Sequence, residues 1–476
     1  MVYLSAVPSI GPLLSGRPHR LRSPVTRPGQ VIVLAFAVAL AVGTALLMLP
    51  VSVTDHPPAD VLPAATNAAG GATALDALFT AASAVFVTGL VVVDTATYWS
   101  GFGQVVILAL IQVGGLGIMT SASLLVVLLA RRLGLRSRMV TSASLGALSM
   151  ADLRRVLLGV ARIAVGVEAV IAVVLVLRFV LGYDYPLGRA LWHGVFHAIS
   201  AFNNAGFALY SDNLMGFVLD PWVCLPLAAA CILGGLGFPV FLELRRHLRT
   251  PRRWSMNTKV VIAGTVTLLV VSVVTITALE WNNPDTLGPL PWTGKLLAGF
   301  FAAVVTRTAG FNSLDVAAMN TQTWFAQDVF MFIGAGPAST GGGIKITTFA
   351  VLLAIIVTEV RGGTAVNIFD KRLARSVHRE AITVALLAVA LVMAGTWTLL
   401  IMTEFTLDQL LFEVISAFAT VGLSTGITHQ LPDAGQLLLV VMMFAGRVGP
   451  VTLASALALR SRRLMYELPK ERPVIG

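Results

Sequence analysis

The sequence predicts an all-α polytopic membrane protein. Three observations carry that prediction: the composition, the recurrence of apolar stretches and the one-sided placement of the basic residues. Of 476 residues, 57% are hydrophobic and 12% charged, against about 25% charged in an average soluble domain. So few charged side chains cannot wet the surface of a soluble protein of this size. An ordinary soluble enzyme is excluded, and disorder more firmly.

Long apolar stretches lie near 31–50, 102–130, 156–181, 218–242, 258–280, 324–358, 381–403 and 434–459. Each is long enough to span a bilayer. The first follows Arg17, Arg20, Arg22 and Arg27. It is too long for a signal-peptide core and has no small-residue cleavage site, so it reads as a membrane helix behind a cytoplasmic tail, 1–30. Between the members of each pair comes a shorter apolar segment, near 74–91, 187–207, 292–311 and 407–424. Segments of that length favour re-entrance over spanning.

The basic residues set the orientation. Segments up to residue 30, 131–155, 242–259, 359–380 and 460–476 hold 26 of the 33 Lys and Arg residues, whereas the loops 51–73 and 281–291 hold none. Positive charge marks the cytoplasmic side, so both termini face inward and the short segments dip in from outside. The net charge of +10 is thereby a topology signal, and no nucleic-acid partner is expected. Cys224 and Cys231 sit in one apolar run with no metal-binding spacing around them and read as packing residues.

The short segments align as a fourfold repeat: FTAASAVFVTGL from Phe79, FHAISAFNNAGF from Phe196, FFAAVVTRTAGF from Phe300 and FEVISAFATVGL from Phe412. Each carries a glycine near its end, Gly89, Gly206, Gly310 and Gly422, and three have serine six residues earlier (Ser83, Ser200, Ser416), where the third has Val304. A second glycine cluster follows 24 to 28 residues after each one, beginning at Gly114, Gly234, Gly334 and Gly446. Glycine there lets membrane helices approach closely. The first set ends segments too short to span, and non-helical backbone at membrane depth is tolerated only when buried or lining a wet cavity. The predicted architecture is therefore four helix–pore helix–helix repeats, with eight transmembrane helices and four re-entrant pore helices around a pseudo-fourfold central pore. The repeats occupy 31–130, 156–242, 258–358 and 381–460, with a cytoplasmic tail at 461–476.

The chemistry of the turns suits a cation. The candidate filter residues are Val87, Thr88 and Gly89; Asn204, Ala205 and Gly206; Thr308, Ala309 and Gly310; and Thr420, Val421 and Gly422. None carries a carboxylate, so selection would come from backbone carbonyls that replace an ion's hydration shell. The inward C-termini of the short helices would add partial negative charge.

The second helix of repeat three is interrupted over 334–343. Gly334, Gly336, Pro337, Ser339, Thr340, Gly341, Gly342 and Gly343 fall there, followed by Lys345. Five glycines and a proline will not hold a continuous helix; the segment is either a packing kink or a mobile gate beneath the filter. Neither a GxGxxG nor a P-loop pattern is completed, since Ser339 and Gly342 stand at required positions. Arg447 lies at membrane depth in repeat four, where a charge is functional by default. It would either repel cations or hold the free carbonyls of the loop, with Lys345 in the same network. Arg307 is expected to brace the third filter from behind. Glu168 is expected in a buried structural pair, and His193 and His197 in packing or hydrogen bonding.

On these motifs the chain resembles the membrane subunits of Ktr-type potassium uptake systems, in the Trk/Ktr/HKT superfamily, over about 31–465. The lack of an extra helix pair before the first repeat favours the Ktr branch over the longer Trk branch. The resemblance implies K+ bound at the twelve filter residues, an intramembrane loop that occludes the pore, and Arg447 as its latch. It further implies a plasma-membrane homodimer and a cytoplasmic nucleotide-binding RCK-type, KtrA-like regulatory ring. No cofactor is expected in this chain, and Na+ is a candidate activator. Two alternatives stand beside this reading. One is a less selective Na+/K+ pore, because the four filters differ. The other is a membrane-embedded enzyme, for which no HExxH, GxSxG or paired intramembrane aspartates are found.

Overall fold

The computed structural model describes residues 28–54, 70–138 and 150–459. The predicted C-terminal tail, the N-terminal tail up to residue 27, and the middles of the 51–73 and 131–155 segments lie outside the described residues. The described chain is helical apart from one two-stranded hairpin, Asn367–Ile368 with Lys371–Arg372.

Repeat one comprises α1 (Pro28–Leu47), α2 (Ala74–Val85) and α3 (Gly101–Arg138). Repeat two comprises α4 (Met150–Tyr183), α5 (Leu187–Asn203) and a second helix in two pieces, α6 (Pro221–Leu236) and α7 (Phe238–His247). Repeat three comprises α8 (Met256–Glu280), α9 (Trp292–Val305), α10 (Thr321–Phe332) and α11 (Ile346–Val360); repeat four comprises α12 (Arg375–Met402), α13 (Leu407–Ala419) and α14 (Asp433–Leu459). The helix starts are capped where the sequence supplies an acceptor. Thr73 Oγ1 accepts from Asp76 N–H at 3.1 Å, Asp220 from Trp222 N–H at 2.9 Å and Ser255 from Thr258 N–H at 3.3 Å. Such caps matter more where no water can satisfy the first free N–H groups.

Gly101–Ser121, Leu158–Tyr183, Met256–Glu280 and Arg375–Met402 are long and apolar enough to cross a membrane; α6 and α7 together make a fifth, bent by 97°. At about 1.5 Å per residue, α1 and α14 have the length for the sixth and seventh. The eighth span expected, 324–358, falls on α10 and α11, separated by the interruption, and of these α11 is a short apolar helix. The bend within repeat two departs from the continuous span expected over 218–242. Its cause is local: Gly237 takes φ +90° and Pro239 follows at once, so the i→i−4 ladder ends at Leu236 and restarts in a new direction.

Packing between repeats follows one rule. The second helix of each repeat backs the pore helix of the next: α3 on α5, α6 on α9, α10 on α13, and α14 on α2. Trp192 donates to Gln104 across the first of these interfaces at 2.9 Å. Leu227 and Cys231 share a core with Val304 and Val305 at the second. The ring of Phe332 stacks on Phe418 at the third, and Phe86 meets Phe444 edge-on at 5.7 Å at the fourth. The fourth interface returns to the first repeat, so the four units close a ring. Leu181, Trp397 and Val360 are exposed on the outside, while Thr88, Asn204, Thr308 and Thr420 are buried at the centre of a largely apolar core.

Candidate functional site

The four pore helices end within a few residues of the four filter glycines, and the backbone there adopts one conformation four times. Val87, Asn204, Thr308 and Thr420 all have positive φ (56°, 58°, 81° and 49°), as do Gly89, Gly206, Gly310 and Gly422 (95°, 71°, 73° and 94°). The residues between them do not. A left-handed residue flips the peptide plane, so this alternation turns successive carbonyls towards one side, the counterpart of an anion-binding nest of N–H groups. Three of the left-handed residues are β-branched, where positive φ is a true outlier. Such strain persists only where surrounding structure over-determines it.

The glycines meet. A Cβ on Gly89 would run into the carbonyl oxygen of Ala205, on Gly310 into that of Val421 and on Gly422 into that of Thr88; on Gly206 it would come within 2.9 Å of Ala309 O. Each glycine thus abuts the carbonyl that precedes the glycine of the next repeat, and the sequence of contacts closes. All four glycines floor one cavity of about 330 Å³. Of the twelve candidate positions, the four glycines and the residue before each are thus brought to one ring. Thr88 Oγ1, Asn204 Oδ1, Thr308 Oγ1 and Thr420 Oγ1, one from each repeat, are buried with no hydrogen-bond partner among the described residues. Buried oxygens left unpaired call for an explanation.

Behind the ring, the serine recurring six residues before the glycine has a definite task. Gly89 N–H donates to Ser83 Oγ at 3.0 Å and Gly422 N–H to Ser416 Oγ at 3.1 Å. Ser200 instead donates to Phe207 O at 2.8 Å, and in repeat three, which has Val304, Gly310 N–H turns to Val305 O at 3.4 Å. The second glycine cluster packs against the pore-helix ends: a Cβ on Gly114, Gly234 or Gly446 would strike the carbonyl of Val85, Phe202 or Phe418, respectively. Glu168 is buried, with Gln112 Nε2 donating to both its oxygens at 3.1 Å and Asn203 Nδ2 at 3.3 Å. It supports the last residue of α5 through two amides rather than a charged partner. Arg307 turns away from the ring, donating to Thr265 O on α8 at 3.3 Å.

On one side of the ring the cavity opens between the outer loops, lined among others by Asp94, Asp212, Asp315 and His429. Ser211 donates to Asp94 at 2.5 Å and Leu214 N–H to Asn312 O at 2.9 Å, tying the loops of neighbouring repeats together. Burial lowers the pKa of the His429 imidazole.

On the other side stands the interruption of repeat three. Its ends are tied by Gly334 N–H to Ile344 O at 2.9 Å. Asn204 Nδ2 donates to Thr340 Oγ1 at 2.8 Å, and a Cβ on Gly341 or Gly342 would meet the hydroxyl of Thr308 or Thr420. The loop is stitched to the break in repeat two: Gly336 N–H to Gly235 O, Thr340 N–H to Gly234 O and Phe238 N–H to Ala338 O, at 2.9–3.2 Å. Ser339 Oγ donates to Gly336 O at 2.6 Å within the turn that Pro337 begins. Lys345 Nζ donates to Gly341 O at 2.6 Å, and Arg447 Nη1 to Thr340 O. Both cations therefore sit on loop carbonyls.

The chain matches known proteins along nearly its whole length. It is 40% identical over 431 residues to the Ktr system potassium uptake protein B of Bacillus subtilis, covering 90% of this chain and 93% of that protein. It is 37% identical to the protein of the same name from Vibrio alginolyticus, covering 94% of each. The crystal structure of the potassium transporter TrkH from Vibrio parahaemolyticus shares its fold, with a TM-score of 0.71 at 16% identity over 93% of this chain and 87% of that one. Residues 29–465 match the TrkH family profile, described as cation transport protein, and with four strained glycine turns closing one ring, the chain belongs to that family.

Proposed function

We propose that this chain is the ion-conducting subunit of a Ktr-like K+ uptake system, a non-enzymatic transporter. The observation that carries the reading is the ring of four backbone carbonyls, from Thr88, Ala205, Ala309 and Val421, each beside the glycine of a neighbouring repeat. Carbonyl dipoles replace the hydration shell of a monovalent cation, and the C-terminal ends of α2, α5, α9 and α13 add partial negative charge. The names of the two Ktr relatives favour K+ as that cation. The carbonyls, with the orphan oxygens of Thr88, Asn204, Thr308 and Thr420, form the binding rungs.

The loop 334–343 is the gate, held shut by Lys345 and Arg447. Asp94, Asp212 and Asp315 concentrate cations above the ring. The chain lies in the plasma membrane with both termini inside, so the inside-negative potential drives uptake at about 2.3 kcal/mol per charge per 100 mV. Two copies pair, and an RCK-type nucleotide-binding ring docks on the basic segments 242–259 and 359–380. Na+ acts as an activator of uptake.

The test is K+ uptake by cells lacking other K+ uptake systems, with and without Na+ and the regulatory partner. Aspartate placed singly at Gly89, Gly206, Gly310 or Gly422 should abolish uptake or change its ion preference. If all four variants transport K+ with unaltered flux and selectivity, the filter reading is wrong.

A further inference from the structure

We propose that His197 and Glu413 are positioning residues for ion selectivity, each strapping the outer arm of its filter segment to the pore helix behind it. Among the described residues the straps occur in repeats two and four only. The inference rests on the filter reading above.

The two residues occupy the same place in the repeat, nine positions before Gly206 and Gly422. Leu209 N–H, on the third residue past Gly206, donates to His197 Nε2 at 3.2 Å; Thr425 N–H, on the third residue past Gly422, donates to Glu413 Oε1 at 3.1 Å. Two unlike side chains thus make the same bond at the same register. His197 is fixed in one form. Its Nδ1 lies 2.7 Å from His193 O, which only accepts, so Nδ1 carries the proton and Nε2 is left as the acceptor. Glu413 is fully buried and also accepts from Ser424 Oγ and, at 3.0 Å, from Thr428 Oγ1.

Repeats one and three hold Thr80 and Phe301 at this position. Among the described residues, neither Val92 nor Ser313, the third residues past Gly89 and Gly310, donates its N–H to the pore helix. Because the repeats pack in the order one, two, three, four and back to one, repeats two and four face each other across the axis. The ring therefore has two strapped walls opposite each other and two unstrapped ones between them. A carbonyl ring that resists closing around a smaller ion favours the larger one. Releasing a strap frees one wall to close around Na+.

The experiment places at each strap the residue that another repeat carries there: His197→Phe and Glu413→Thr, with Glu413→Gln as the conservative variant that keeps an acceptor for Thr425 N–H. The full-length protein is reconstituted in liposomes, and K+ flux is measured against Na+ and Rb+ competition. Loss of one strap should lower the K+ over Na+ preference by about fivefold, the scale of a single hydrogen bond, while Glu413→Gln stays near the parent. Reduced flux with an unchanged ion preference in both His197→Phe and Glu413→Thr would overturn the proposal, leaving the two residues a purely structural role. If Glu413→Thr does not accumulate, His197→Phe decides alone, because Phe301 shows that the repeat accommodates the ring. Failure of the filter reading itself would appear separately, as an unaltered Gly422→Asp variant.

Discussion

Arg447→Ala should make the transporter leak. Arg447 is 3% exposed and donates through Nη1 to Thr340 O, in the loop that stands against Asn204, Thr308 and Thr420. A hydrogen bond to a charged group contributes about 1.5–3 kcal/mol. Part of that is offset, because Arg447 Nε and Nη2 are buried without a partner among the described residues, and deletion removes their burial cost. The net shift towards the open loop is about 1–2 kcal/mol, a factor of about 5–30 in the population. Lys345 and the three backbone bonds to repeat two remain, so the loop should open more often without unfolding. The assay is K+ flux into liposomes holding the membrane subunit alone. Arg447→Lys keeps a cationic donor on a chain of similar reach, so it should retain most of the latch to Thr340 O. The latch reasoning is refuted if Arg447→Ala leaves basal flux unchanged, or if Arg447→Lys leaks as much as Arg447→Ala.

Three further outcomes are expected. Gly237→Ala should raise basal flux, because its Cβ would come within 2.5 Å of Pro337 O at φ +90°, and a conformation this strained for a side chain costs about 1–3 kcal/mol; the same liposome assay reads it. Ser416→Ala leaves Gly422 N–H buried without its acceptor, at a cost of about 1–3 kcal/mol, and should lower both thermal stability in detergent and K+ preference, while Ser416→Thr preserves them. His429 stays neutral at neutral pH because burial lowers its pKa from 6.5. Acidification from there towards the carboxylate range should add positive charge among Asp94, Asp212 and Asp315 and raise the K+ concentration for half-maximal uptake. His429→Ala should remove that component, and neutralising Asp315 should raise half-saturation at all pH values, less so at high ionic strength.

The four glycine turns were legible because a glycine recurs at the same place in four short apolar segments that align from their first phenylalanine. The glycine-rich interruption was legible from its five glycines and proline. Other features depended on contacts that no local pattern records. The recurring serine was visible, but in repeats one and four its partner is a backbone N–H six residues on, which the string does not display. The amides that hold Glu168 lie on α3 and at the end of α5, 56 and 35 residues away. The bend at Gly237 stayed hidden because 221–242 is apolar throughout, and hydropathy is blind to direction. The straps of His197 and Glu413 escaped notice because histidine and glutamate share no property that alignment detects, only the ability to accept one hydrogen bond.

The rule that each second helix backs the next pore helix bears on how the protein comes to be made. The first filter segment, after α2, is synthesised early, yet its support is α14, the last of the described helices. Until α14 arrives, Phe86 lacks Phe444 and the strained turn at Val87 has nothing to hold it on that flank. A growing chain of three repeats would therefore contain three glycine turns and no closed ring. On the filter reading proposed above, ion conduction would be withheld from a chain lacking its last repeat, and a membrane holding half-built chains would keep its potential.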